Sequence, residues 1–419
     1  MEKTTFNSRR WILIALINFC VVALAGVTLR YKINFPLPMV NQKYLLHAHS
    51  HFAFDGWVAI ALMTCMVNYL QRNNVATNYR KYHWILLASC LTAYAMFISF
   101  IIEGYDTFSI TFSSLSIFIS YFFIFHLWRD LNKVVDKAYS PKWFKGALVL
   151  LGISSLGAFS LAYLMANHIV IQDLYFSAIY FFLHFQYNGW FLFACFGLLF
   201  SFLYKIGFIP TAAISKKLFI IMAIMVGPTF LLSILWLKLP TGLRWIANIS
   251  GILQLLVLFY FIQLLPVIKK HINNRIDKVT RFLWTMAAIA FVLKIVLQML
   301  SIVPFLSHLA FGFRPVVIGY LHLSFIGIIS FFLLGYINEI YKKEGYRVLT
   351  GGTILFVSGF LIQEIVLMTQ GLEALEITPL PYANVILFIC AILMFFGLIW
   401  FVIGFSGKRH LVSQNNPTA

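Results

Sequence analysis

A chain of 419 residues that is 61% hydrophobic and only 11% charged lies well below the roughly 25% charged residues of ordinary soluble domains. That composition excludes the two or three soluble domains that length alone suggests. The net charge of +18 would suit a nucleic-acid binder, but its distribution along the chain excludes that class too.

Apolar stretches of roughly 20 residues, enough to cross about 30 Å of hydrocarbon, occur twelve times, at 11–29, 45–70, 83–102, 108–128, 146–167, 173–204, 216–237, 243–266, 280–303, 314–337, 350–370 and 382–405. They are unbroken runs, not alternating ones, so they predict helices and not a barrel. The first run follows Arg9 and Arg10, is 19 residues long and has no convincing cleavage site, so it reads as a retained helix. With the N-terminus inside, 24 of the 31 lysines and arginines fall on the inner side. Six face outward (Arg30, Lys32, Lys43, Lys238, Arg244 and Arg314), and Lys294 lies within the ninth run. This is the positive-inside pattern. It predicts a multi-pass protein of the inner (plasma) membrane with both termini cytoplasmic and the lipid bilayer, not nucleic acid, as its partner. The five cysteines all lie in the runs, form no CxxC pair and read as packing residues. The longest inner loops, 129–145 and 267–279, are too short for a domain, and the C-terminal SQNNPTA is a polar tail.

An internal repeat marks the second, sixth and tenth runs. HFAFDGW begins at His51, HFQYNGW at His184 and HLSFIGI at His322, sharing the pattern His, apolar, any, aromatic, any, Gly, then Trp or Ile. The spacings are 133 and 138 residues, near a third of the chain. The expected fold is therefore an all-α integral membrane protein of twelve transmembrane helices in three pseudo-symmetric four-helix units, approximately 1–142, 143–275 and 276–419, within one membrane domain.

All three helices run from outside to inside. At about 1.5 Å per residue, His51 lies roughly 10 Å in from Tyr44, His184 roughly 16 Å in from Asp173 and His322 roughly 12 Å in from Arg314. One histidine per unit thus sits at similar depth in the outer half of the membrane. Polar groups there are costly and face the bundle interior. Imidazoles from different helices at one depth suit axial haem ligation, which takes two ligands from opposite sides. His47 and His51 share a face that Asp55 continues, while His49 points away from it.

Twelve helices with histidines on the second, sixth and tenth resemble the catalytic subunit of haem–copper oxidases. The stretch IGYLHLSFIG resembles that family's Ile-Gly-His-x-His segment, with Tyr320 in place of the high-spin haem ligand and His322 at the low-spin position. The resemblance implies a low-spin haem held by His322 and a helix-two histidine, His51 first and His47 second. It also implies a copper position at His184, with Tyr187 nearby, and an electron donor or other respiratory subunits as partners. The seventh run has no histidine, so with the high-spin ligand also missing, oxygen reduction of the usual kind is not expected, nor is stoichiometric copper. In span number, size and the His-Ala-His opening of its second helix the chain also resembles the NnrS family, haem- and copper-containing membrane proteins linked to nitric oxide stress.

The plainer readings stand beside these. A lone membrane histidine more often packs or hydrogen-bonds than ligates. His49, His83, His126, His168 and His308 read as interfacial, and His271 and His410 as solvated. The 44 phenylalanines are mostly lipid-facing or core packing. Lys294 and Asp55, at similar depth, are expected to pair with each other or to have Lys294 meet a haem propionate. Glu364 is a proton-handling or structural carboxylate. An alternative class is a proton-coupled secondary transporter using His51, Asp55, His184 and Lys294, although no Gly/Pro-interrupted pair of spans stands out in corresponding positions.

Overall fold

A computed structural model describes residues 6–135, 138–208, 211–272, 275–342, 344–346, 348–372 and 380–407. His410 and the polar tail lie outside the described residues. The elements are all helices, because in hydrocarbon a single segment must satisfy its own backbone. Eleven are long and apolar enough to cross a membrane: α1 Ser8–Asn34, α2 Gln42–Arg72, α3 Arg80–Glu103, α4 Thr107–Leu131, α5 Ser140–Ala166, α6 Gln172–Lys205, α8 Thr241–Ile272, α9 Lys278–Leu300, α10 Arg314–Lys342, α11 Thr350–Leu372 and α12 Ala383–Ser406. Between α6 and α8, α7 (Thr211–Met225) is followed by a 3₁₀ turn, Pro228–Ile234. Counted as one broken span, these bring the total to twelve.

The break corrects the expectation of a continuous seventh helix. The two pieces meet at 51°. Pro228 has no N–H to donate and its ring excludes the carbonyl four residues back, so the helix stops there while the apolar composition continues. A short helix, Pro304–Gly312, also separates α9 from α10.

Both ends of the chain lie on one face of the bundle. Arg9 Nη2 donates to the Ser406 carbonyl at 3.3 Å, and Tyr341 Oη donates to Ser8 Oγ at 2.8 Å. An even number of crossings requires this. Two charged clusters sit at the same end. Asp130 accepts from Thr77, Lys81, Tyr82 and Lys133. Asp277 caps α9 by accepting from the Val279 N–H at 2.9 Å and pairs with Lys342 at 3.2 Å.

α12 packs against α1 as well as α11, so the chain closes on itself. The two glycines of the α11–α12 contact set its closeness: a Cβ on Gly397 would lie 2.6 Å from the Phe356 nitrogen, and one on Gly352 would lie 2.9 Å from the Gly397 oxygen. Small residues let membrane helices approach in this way.

α2, α6 and α10, the three histidine-bearing helices, are innermost. Their apolar windows are 89%, 78% and 61% buried, against 50% or less for each of the other long helices. Each changes from α to π-helix just after its repeat histidine, at Ala53–Ala59, Phe185–Phe191 and Leu323–Ser330. π-Helical stretches are rare and cluster at functional sites. The three meet at the bundle centre. Phe54 and Phe325 have ring centroids 4.3 Å apart, and Phe191 lies 5.7 Å from the first and 5.8 Å from the second. Trp57 Nε1 donates to Ser330 Oγ at 2.9 Å, tying α2 to α10.

Packing differs along this trio. Residues 56–70, 184–198 and 327–338 are buried throughout, whereas the turns leading to each repeat histidine are mostly half-buried or exposed. The half of the bundle near the termini is therefore close-packed, and the opposite half leaves space around the inner helices.

Candidate functional site

The histidines of the inner helices fall into three groups, each with a different set of neighbours. In the first, His49 turns away from the repeat face toward α1. Its Nδ1 lies 3.0 Å from the Val22 carbonyl, which can only accept, so Nδ1 carries the proton and Nε2 keeps its lone pair. Gly26 makes room for the ring, since a Cβ there would lie 3.3 Å from His49 Cε1. His322, on α10, has Nδ1 2.9 Å from the side-chain amide of Gln363 on α11. Glu364 Oε1 stands 3.9 Å from the same nitrogen, too far for a hydrogen bond. His49 and Arg30 are both within electrostatic reach of His322. Neither His49 Nε2 nor His322 Nε2 makes a hydrogen bond among the described residues, and both rings are half-buried.

In the second group, His51 faces α3. Its Nε2 is 2.7 Å from Tyr105 Oη and its ring stacks on Phe100 at 4.4 Å. His47 packs edge-on against Tyr105 at 4.6 Å, and its buried Nε2 has no hydrogen-bond partner among the described residues. Asp55 Oδ1 accepts from Ser116 Oγ on α4 at 3.5 Å.

In the third, His184 is fully buried and both its ring nitrogens are engaged. Nε2 donates to the Val226 carbonyl at 2.8 Å, the carbonyl freed where α7 breaks. Nδ1 then accepts from Asn188 Nδ2 at 3.0 Å and from Ser233 Oγ at 3.3 Å. Asn188 Oδ1 in turn accepts from Lys294 Nζ on α9.

These placements set the expected residues in separate surroundings. No hydrogen bond, ion pair or ring contact among the described residues joins His51 to His322, because His51 is oriented by α3 and His322 by α11. The helix-two histidine that shares the surroundings of His322 is His49, which the repeat pattern passes over. Lys294 meets Asn188, not Asp55, because Asp55 belongs to the α3–α4 side and Lys294 to the α7–α9 side. The copper position at His184 does not fit, because a ligand needs a free nitrogen and this ring has none. Among the described residues no three of His, Cys, Asp and Glu cluster closely enough to hold a metal ion. Tyr187 does approach Tyr320, with ring centroids 6.2 Å apart.

The imidazoles that share surroundings are those of His49 and His322. An axial imidazole ligates through one nitrogen and is oriented by a hydrogen bond from the other to the protein. His49 meets both conditions, and Arg30 supplies a cation nearby. His322 Nδ1 faces the Gln363 amide nitrogen and accepts there, so its Nε2 is free to ligate only with that amide turned to present its oxygen. His51 has Nε2 against Tyr105 and no hydrogen bond to Nδ1 among the described residues, so it offers Nδ1 only.

Two further residues carry the site and were not singled out in the sequence: Gln363 and Asn188. Only Asn188 has a local signal, four residues beyond His184 on the same helix face. No family model matches the chain. No curated protein matches it either.

Proposed function

We propose that this chain is a haem-binding inner-membrane protein built as three four-helix units on the plan of haem–copper oxidases, with the haem between α2 and α10 and His49 and His322 as its axial ligands. The observation that carries the reading is the state of His49, whose Nδ1 donates to the Val22 carbonyl and whose Nε2 has no hydrogen-bond partner among the described residues, with His322 within its electrostatic reach and oriented by the Gln363 amide. The recurrence of a π-helical stretch after each repeat histidine supports the three-unit plan, with boundaries near 142 and 275.

A haem with two imidazole ligands carries electrons and keeps no open position for a gas. Val22 and Gln363 would orient the ligands, and Arg30, within electrostatic reach of His322, would supply a cation for a propionate. The role is electron transport in respiratory or nitric oxide metabolism, with a separate electron donor. The lysine and arginine distribution supports an inner-membrane location with both termini in the cytoplasm. The test is haem content: pyridine haemochromogen assay of the purified chain is expected to give about one haem per chain, and a haem-free protein from haem-replete cells would exclude the reading.

One observation favours a transporter instead, the break in α7, since discontinuous spans mark transporter sites. Against it, His51 and Asp55 lie on the α3–α4 side, while His184 and Lys294 lie on the α7–α9 side.

A further inference from the structure

Lys294 is 5% exposed and has no ion-pair partner among the described residues. It borders a cavity of about 40 Å³ between α6, α7, α8 and α9, and no lining residue is acidic. Besides Lys294, the polar lining is Asn188, Thr229, Gln254 and Gln298, the rest being apolar. Gln254 and Gln298 are 6% and 7% exposed. Gln254 Nε2 and Gln298 Oε1 are both buried with no hydrogen-bond partner among the described residues.

An ammonium group without a counter-charge is costly in a low-dielectric interior, and each unsatisfied amide adds its own cost. One occupant removes all three. An amide side chain can present either end, so Gln254 and Gln298 can both turn N–H groups toward the cavity, beside the protons of Lys294 not given to Asn188. The carbonyls that would repel an anion are already capped: Thr229 Oγ1 donates to Met225 O at 2.8 Å, and His184 Nε2 to Val226 O at 2.8 Å. The carbonyls at the break in α7 thus already have donors. A water occupies about 10–15 Å³ on this measure, so the cavity holds roughly three heavy atoms.

We propose that this cavity is a binding site for one small monovalent anion of one to three heavy atoms, halide to nitrite in size, held by Lys294, Gln254 and Gln298. It lies on the α7–α9 side, apart from the His49–His322 pair, and does not depend on the haem reading.

The test is thermal unfolding of the purified full-length protein in detergent, titrated with potassium chloride, bromide or nitrite against potassium gluconate at equal ionic strength. Gluconate is too large for the cavity. The small anions are expected to raise the unfolding temperature saturably, with no such rise in gluconate. Gln254→Leu keeps the positive charge and is expected to weaken the half-saturating concentration roughly tenfold, and Lys294→Met to abolish the response. No saturable rise in the wild type, or an undiminished response in Gln254→Leu, overturns the proposal. Gln254→Leu decides even where Lys294→Met does not fold.

Discussion

His49 holds its Nδ1 3.0 Å from the carbonyl oxygen of Val22. That contact fixes the tautomer and leaves Nε2 as the nitrogen with a lone pair to give. His51, two residues on, has its Nε2 tied to Tyr105 instead. Substituting each therefore separates two ligand assignments. His49→Ala is expected to remove the low-spin haem signal, and His51→Ala to keep it. Haem spectra of the two variants check this, and the opposite outcome would restore the pairing that the repeat suggests.

Gln363 orients His322 without touching any reacting atom, so it is a positioning residue. Losing such a partner typically costs about 10–100-fold in metal affinity. Gln363→Leu is expected to lower haem retention by that order and to shift the reduction potential, while Gln363→Glu, whose carboxylate accepts from Nδ1–H and leaves Nε2 its lone pair, retains most of it. Haem transfer to apomyoglobin measures the retention. Equal loss in both variants would point to a packing role.

His184 is structural in this account. His184→Ala leaves the Asn188 amide N–H unpaired inside the membrane, at about 1–3 kcal/mol, and leaves the Val226 carbonyl only its longer contact from Thr229 Oγ1 at 3.3 Å. A lower thermal unfolding temperature with unchanged haem content is expected. One copper per chain, lost in this variant, would contradict that role.

Asp277 links stability to pH at the end of the bundle that carries the termini. Burial alone would raise its carboxyl, but the Val279 N–H, Lys342 and Asn338 together hold it below the usual carboxylate range. A carboxyl lowered on folding stabilises fully above its unfolded value near 4. It loses that contribution as pH falls through the lower folded value. Unfolding temperature is thus expected to drop on acidification toward pH 3 more in the wild type than in Asp277→Asn. At pH 7, Asp277→Ala is expected to cost about 1 kcal/mol as a lost cap. Parallel pH profiles in the two proteins would remove the carboxyl from this role.

The helices and their order were legible because span length is a local property of composition, and the repeat was legible because its seven positions are contiguous. Rotation about the helix axis was less so. His49 and His51 differ by two residues, or about 200°, and which of them meets α10 depends on how α1 and α3 flank α2. Gln363 reaches His322 from the next span, a contact with no sequence period. The break in α7 has its cause in Pro228, yet membrane helices tolerate proline, so an apolar run containing one does not announce a break. Lys294 was legible as a costly charge, but its partner was not, because equal depth does not mean the same side of the inner trio.

The most direct measurement of the central claim is the reduced-minus-oxidised absorption spectrum of the purified protein. The account predicts a Soret band and the sharp α-band of a six-coordinate low-spin haem, both lost in His322→Ala and kept in His271→Ala. A colourless wild-type protein, or a haem spectrum unchanged in His322→Ala, would contradict it.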